Sequence, residues 1–513
     1  MHLKAKRLTG KDTAIKMFSS PFALASLDKA RLSALSLKML LSITGHSRKT
    51  AGFMWAICLL LHFIPCVFGQ APPDPQREQL LNGLRVLLSL RAGNPDVLVK
   101  LRIHSGAAFD LAGKAGEMVL LGDLLFPDRA TIEYFTTEEM GGRLDVNTNY
   151  DSITVTMQGR AGQFEQMIQL LRNALLATQL TPETVARLRT ARTKIVQETA
   201  ISPAIVADRA IARRLFGDFP YGRPVSGSSE DLARVERADL MLARDRFLNS
   251  NNATLAVVGG VERARALRAL RQLLGVWRKS EQIVPTTFRQ PQPPDAQTLI
   301  ISGPTDQTSE IRMALRGLSR SDADSNAAAV LAVIAKHRLE EVIPELSKKP
   351  LFVRSEARVM PGMFVLGTPV NNGSVAGTIT VARKMLDALT EAPPSSAEVE
   401  RAKSEVAAEV ATLLSKPEGM TDAWLDLDTY RLPPVNDQLA TLRAISPADI
   451  QRVATRLFHQ AAIATVVVGD SQQLKTALQG RLQFEVMGEI PTPAPSPSPK
   501  PQAGPPNKPR SPR

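Results

Sequence analysis

The chain of 513 residues is 44% hydrophobic, 22% charged and 5% aromatic, a globular balance that excludes a disordered or collagen-like polymer and leaves room for two or three domains. Its net charge of +13 would ordinarily suggest a nucleic acid or anionic partner. That charge is concentrated at the ends: the first 69 residues carry +8, the last 23 carry +4, and about +1 is left for the 421 between, so nucleic-acid binding by the body loses its support.

Taken in chain order, Ala51 to Gly69 form an apolar run behind Arg48 and Lys49, followed by the polar, proline-rich Gln70–Pro75. A basic flank, a short apolar stretch broken by His62 and Pro65, and small or apolar Val67 and Gly69 before the break describe a secretory signal peptide within 1–69. The long upstream extension is unusual for such a signal and points to a start at Met39 or Met54. An organellar transit peptide and an uncleaved membrane anchor over 51–69 stay open as alternatives. Cys58 and Cys66 both lie in this run, so a chain cleaved after Gly69 has no disulfide or thiol chemistry. The body keeps His104, His337 and His459.

Val99–His104 and Ile153–Met157 alternate apolar and polar residues, the pattern of half-buried antiparallel strands. His104 falls on the polar side, where an exposed histidine is expected. Further on the chain repeats itself. Ala238-Asp239-Leu240 through Ala253–Gly259 matches Ala448-Asp449-Ile450 through Ile463–Gly469, each a helix feeding a β-branched strand that ends at glycine, with the Asp pair and the Gly pair both offset by 210. Thr181–Arg187 and Ser395–Arg401, offset by 214, each read as a helix start with a hydroxyl cap and an early Glu. The expected class is α+β: two homologous domains, 70–277 and 297–487, each an antiparallel-rich sheet packed against helices, joined by the Pro- and Gln-rich linker 278–296. From Pro491 the last 23 residues contain ten prolines and are expected to form an extended, disordered basic tail, best read as a spacer.

Several segments together resemble the pitrilysin/insulinase zinc peptidases, the inverzincins. They are Pro220-Tyr221-Gly222-Arg223-Pro224-Val225-Ser226-Gly227, Asn251–Gly260, Gly141–Thr148 and Ile195-Val196-Gln197-Glu198, and the resemblance runs from about Leu81 to Gly480. It implies a half-clamshell fold and a helix carrying H-x-x-E-H, whose histidines bind zinc and whose glutamate is the general base, with a third Glu ligand some 75 residues on. The corresponding segment is Gly113–Leu120. It places Gly116 and Leu120 at the histidines and Val119 at the glutamate, leaves Glu198 as the residual ligand position, and puts Ala191 at a supporting glutamate. Glu117 and Asp123, on or beside the same helix, are read as projecting away from the lost ligands. One carboxylate cannot hold catalytic zinc, so no cofactor is expected and none of these positions is expected to be catalytic. On this reading, histidines at 116 and 120 with glutamate at 119 would restore the metal through Glu198. The family's substrate-clamping Arg and Tyr fall at Ser347 and Val353 and are lost as well; Lys348 and Arg354 are nearby cations at other spacings.

The resemblance therefore implies a non-catalytic subunit that pairs as a heterodimer with an active H-x-x-E-H homologue around a peptide chamber, secreted or periplasmic. No nucleic acid is expected, and the tail offers weak contact with an envelope or membrane surface. A stand-alone envelope binding or scaffold protein, and a peptidase with an altered site, are the alternatives.

Overall fold

The computed structural model describes residues 74–487, apart from Glu139, Thr286, Gln290 and Thr305. The leader expected within 1–69 and the tail expected from 491 lie outside them. The first half opens with β1 (Gln76–Gln79), β2 (Arg85–Leu90) and β3 (Asp96–Ile103), then α1 (Glu117–Asp123), α2 (Arg129–Tyr134), β4 (Arg143–Thr148) and β5 (Ile153–Arg160). A run of helices follows: α3 (Phe164–Leu176), α4 (Pro182–Thr199), α5 (Pro203–Phe216), α6 (Ser229–Arg234) and α7 (Arg237–Phe247), before β6 (Ala253–Gly259) and α8 (Arg263–Leu274). The strands form one sheet in the order β1-β2-β6-β3-β5-β4, antiparallel except where β2 meets β6.

The second half reuses the plan. It comprises β7 (Thr298–Ser302), β8 (Thr308–Arg316), α9 (Ser325–Val342), β9 (Phe352–Glu356), β10 (Met363–Asn371), α10 (Val375–Glu391), α11 (Ser396–Leu414), α12 (Pro417–Tyr430), α13 (Val435–Ala444), α14 (Pro447–Phe458), β11 (Ala464–Gly469), α15 (Ser471–Leu478) and β12 (Phe484–Met487). Its sheet order is β12-β7-β11-β8-β10-β9. The repeat seen in sequence is thus α7–β6 against α14–β11. The Asp at the third helical position returns to cap the helix in both: Asp239 accepts from Glu236 N and Asp449 from Ser446 N. Thr181 and Ser395 likewise cap α4 and α11.

Each half has its own apolar layer on one sheet face. The opposite face of each sheet is covered by a helix of the other half. α5 lays Ala207, Ile211, Leu215 and Phe216 against Leu299, Ile301, Val466 and Val468 of the second sheet. In return α12 lays Trp424, Leu425 and Leu427 against Leu87 and Ala256 of the first. α5 and α12 occupy equivalent places in the two repeats, each starting with proline, 214 residues apart.

This exchange overturns the expectation of a half-exposed β3. Lys100 and Arg102 point to its polar side yet are 5% and 7% exposed, because α12 brings Asp422 and Asp426 over them. Lys100 Nζ lies 2.7 Å and Arg102 Nη2 3.0 Å from the Asp422 carboxylate, and Arg102 also pairs with Asp426. His104 is not an exposed histidine either. Its Nδ1 lies 3.0 Å from Thr429 Oγ1 and its Nε2 3.0 Å from Thr254 Oγ1.

Candidate functional site

The site implied by the sequence is where α1 leaves the end of β3 and meets α4. The loop before α1 is held by buried carboxylates. Asp110 accepts from Gly116 N at 2.7 Å and Met118 N at 2.8 Å, and Glu117 accepts from Leu111 N at 3.0 Å. Burial pushes the Asp110 carboxyl up to about 8, against the two N–H donors that favour its charged form. The result is a rigid helix start whose register is set by Gly116, at φ +95, a conformation that costs a residue with a Cβ.

That register displaces the expected site. Gly116 caps the helix from outside it, and a Cβ there would lie 2.8 Å from Leu232 Cδ2. Leu120 is 1% exposed and belongs to the main apolar core. Neither can present a ligand toward α4. The residue of α1 that does face α4 is Asp123, with Val119 one turn before it and Gly122 between. An H-x-x-E-H pattern read on this face therefore starts three residues later than the sequence suggested, with Val119, Gly122 and Asp123 at its functional positions. Gly122 packs against the sheet, where a Cβ would come within 2.8 Å of Thr148 Oγ1.

Opposite Asp123 stands Arg192. Its Nε and Nη2 bond the two carboxylate oxygens at 2.7 and 2.5 Å, a bidentate pair between α1 and α4. Glu198 does not join it. It lies six residues beyond Arg192, about 120° further around the helix, is half exposed, and has Lys194 Nζ at 3.8 Å. Among the described residues no group of three or more His, Cys, Asp or Glu is arranged to hold a metal. Val119, Gly122 and an Asp123 already bound to a guanidinium do not fit zinc, which needs about three free ligands and an open position. Sequence reasoning missed Arg192, because an acid on one helix and a base on another leave no mark in local spacing.

In the second half Ser347 lies in a 3₁₀ turn and donates to Pro344 O at 2.7 Å, and Val353 is buried on β9. The nearby cation Arg354 sits over the Phe352 ring at 4.4 Å. The resemblance motif at Pro220-Tyr221-Gly222 has a structural task instead. The Tyr221 hydroxyl donates to Asp151 Oδ1 at 3.0 Å and accepts from Met360 N at 3.1 Å, while Val359 N donates to Asp151 Oδ2 at 3.3 Å. Arg358 lies over the rings of Tyr150 and Tyr221, at 4.5 and 5.6 Å. Burial raises the Asp151 carboxyl, opposed by Arg358 and then by the Tyr221 hydroxyl. This buried polar clamp ties the first half to the hairpin between β9 and β10.

Comparison with known proteins agrees with this architecture. Residues 85–229 match the family model described as insulinase (peptidase family M16), and residues 234–406 match the peptidase M16 inactive domain. Human mitochondrial cytochrome b-c1 complex subunit 1 is 25% identical over 225 residues, 42% of this chain and 46% of that protein. An uncharacterized zinc protease of Mycobacterium tuberculosis is 24% identical over 209 residues, 39% of this chain and 47% of that protein. The matches thus span less than half the length of these relatives. Among solved structures, a peptidase M16 inactive domain from Pseudomonas fluorescens superposes with a TM-score of 0.70 at 17% identity, covering 78% of this chain and 99% of the other. A Helicobacter pylori protease gives 0.69 at 15%, covering 78% and 100%. A chain of complex III2 from Candida albicans gives 0.66 at 15%, covering 79% and 97%.

Proposed function

The chain belongs to the insulinase family, peptidase family M16, and within it we propose that this member is a non-catalytic subunit forming one wall of a peptide chamber. The observation that carries this is the Asp123–Arg192 pair. The face of α1 that would hold zinc instead carries an acid neutralised by a guanidinium, beside an aliphatic residue and a glycine. No general base and no Lewis acid can be assembled from that set. The chain keeps the two-repeat shell and the clamp that joins its halves, which fits a role in assembly and enclosure.

The partner in this reading is an H-x-x-E-H-bearing homologue, joined as a heterodimer outside the cytoplasm after export through the N-terminal signal. Its peptide substrates would be cut on the partner's side, with this chain supplying the opposing surface. The test is to purify the full chain alone and with such a homologue, then measure association by size exclusion, zinc by mass spectrometry, and cleavage of an unstructured peptide. The expected result is a stable complex in which zinc and hydrolysis follow the homologue. Zinc near one equivalent in the lone chain, or hydrolysis by it, would overturn the reading.

A further inference from the structure

The body as a whole is nearly neutral, yet one face of it is not. From Arg263 to Val284 the chain carries six basic side chains, Arg263, Arg265, Arg268, Arg271, Arg278 and Lys279, against the single acid Glu281. Arg263 and Arg265 are engaged by Glu78 and Glu165. The other four are exposed, and none pairs with an acid among the described residues. Arg268 and Arg271 follow one another on the outer side of α8, whose inner side buries Ala266, Leu267, Leu270 and Leu274. Arg278 and Lys279 come just after the helix ends.

The turn between β1 and β2 packs beside that helix end. Asn82 Nδ2 donates to Leu274 O at 2.8 Å and to Trp277 O at 2.9 Å, and Lys279 Cδ lies 3.9 Å from where a Gly83 Cβ would be. The turn thus carries Leu81, fully exposed, to the helix end that bears Val276, 65% exposed, and Arg278 and Lys279 follow Val276 directly in the chain.

We propose that this face, Leu81 and Val276 at the end of α8 together with the exposed Arg268, Arg271, Arg278 and Lys279, docks on an anionic lipid surface. The chemistry matches both layers of such a surface: guanidinium and ammonium groups meet lipid phosphates while the aliphatic tips enter the headgroup boundary. A nucleic acid would use the cations and leave the aliphatic tips idle, and the face offers no exposed aromatic ring for stacking, since Trp277 is 2% exposed and donates to Leu248 O. No described helix is long and apolar enough to cross a membrane, so the contact is peripheral. This surface is separate from the α1–α4 site, and its failure would leave the proposed subunit role untouched.

The test uses the full chain with vesicles of phosphatidylcholine alone or with about 30% phosphatidylglycerol, read by hydrogen–deuterium exchange in peptides covering 79–84 and 268–283. The expected result is at least about twofold slower exchange in both peptides on the anionic vesicles only. The pairs Leu81→Ser with Val276→Ser, and Arg271→Gln with Lys279→Gln, are expected to abolish the slowing with the thermal midpoint unchanged, since all four side chains are exposed. The readout is local, so attachment through 51–69 does not mimic it. Equal slowing on neutral vesicles, no slowing at all, slowing that survives both paired variants, or protection by duplex DNA in place of vesicles would each overturn the proposal.

Discussion

At the scale of single residues, two side chains decide what the α1–α4 site can do, and both make checkable statements. Arg192 and Asp123 are each largely covered, and their pair is bidentate. Removing one partner leaves the other charge without compensation, so Arg192→Ala is expected to lower stability by about 1–3 kcal/mol. A double-mutant cycle with Asp123→Ala, read by urea unfolding, should recover part of that loss; strictly additive effects would show that the two groups are not coupled. Writing H-x-x-E-H into positions 116–120 should give no zinc uptake and a destabilised protein. Histidine at 116 must adopt a left-handed backbone against Leu232, and histidine at 120 must enter the apolar core. Equilibrium dialysis with zinc checks the first outcome and thermal unfolding the second.

His104 makes the acid-side statement. Thr254 Oγ1 donates to Asp428 at 2.7 Å, which leaves His104 Nε2 as donor to Thr254, while the Thr429 hydroxyl beside Nδ1 also has Leu425 O at 3.0 Å as an acceptor. Burial, then Arg85 and Arg102, pushes its pKa down from 6.5 to about 3. Because the folded value is depressed, the unfolded chain binds a proton below about pH 6.5 that the folded chain refuses, and stability falls with pH from there toward 3. Between pH 6.5 and 5 this amounts to about 2 kcal/mol, so the urea midpoint of the parent should fall over that interval while that of His104→Gln stays flatter. Parallel curves would mean that the ring charges in place.

At the scale of elements, the exchanged helices share one polar contact in duplicate. Lys100 of β3 lies opposite Ala256 of β6, and Arg312 of β8 lies opposite Val466 of β11; the β6 and β11 residues are 210 apart, so the two cations are equivalent. Their acids are Asp422 of α12 and Asp208 of α5, at 2.7 and 2.5 Å and 214 apart. The pairs are not equally supported. Arg312 keeps Glu310 at 2.8 Å when Asp208 is removed; when Asp422 is removed Arg102 likewise keeps Asp426, but Lys100 is left with the Glu418 carbonyl at 3.2 Å and no acid. Asp422→Ala is therefore expected to cost about 1–3 kcal/mol, and Asp208→Ala less. Comparing urea midpoints of the two variants checks the order, and equal losses would contradict it.

The same contact shows what the sequence could and could not reveal. The repeat, the capped starts of α4 and α11, and the strands ending at Gly259 and Gly469 are local patterns, and propensity and capping chemistry suffice to read them. Which sheet α5 and α12 cover is not local: an apolar helix face demands a cover without naming it. Lys100, Arg102 and His104 therefore read as an exposed face although α12 buries them. The site register failed for a related reason, since the left-handed Gly116 moves the helix start and only the facing helix shows that Asp123 is the residue in position.

At the scale of the molecule, reciprocal covering makes the two repeats one folding unit. Without α5, the second sheet would expose Leu299, Ile301, Val466 and Val468 together with the buried Arg312; without α12, the first would expose Leu87 and Ala256 and leave Lys100 and Arg102 unpaired. Each half would then carry a bare apolar sheet face and stranded charges, a combination that small domains rarely survive. The clamp adds hydrogen bonds from Val359 N to Asp151 and from Met360 N to Tyr221, with Arg358 over the Tyr150 ring, that no single half can complete. Calorimetry on the parent should accordingly show one transition over the two sheets, with matching calorimetric and van't Hoff enthalpies. Cutting within the irregular stretch between Leu274 and Thr298 and expressing the pieces apart should yield two chains without fixed tertiary structure by near-ultraviolet circular dichroism. Mixing them from denaturant should restore the native spectrum. A half that folds alone, or two resolved transitions in the intact chain, would mean that the crossing helices decorate the sheets without holding them together.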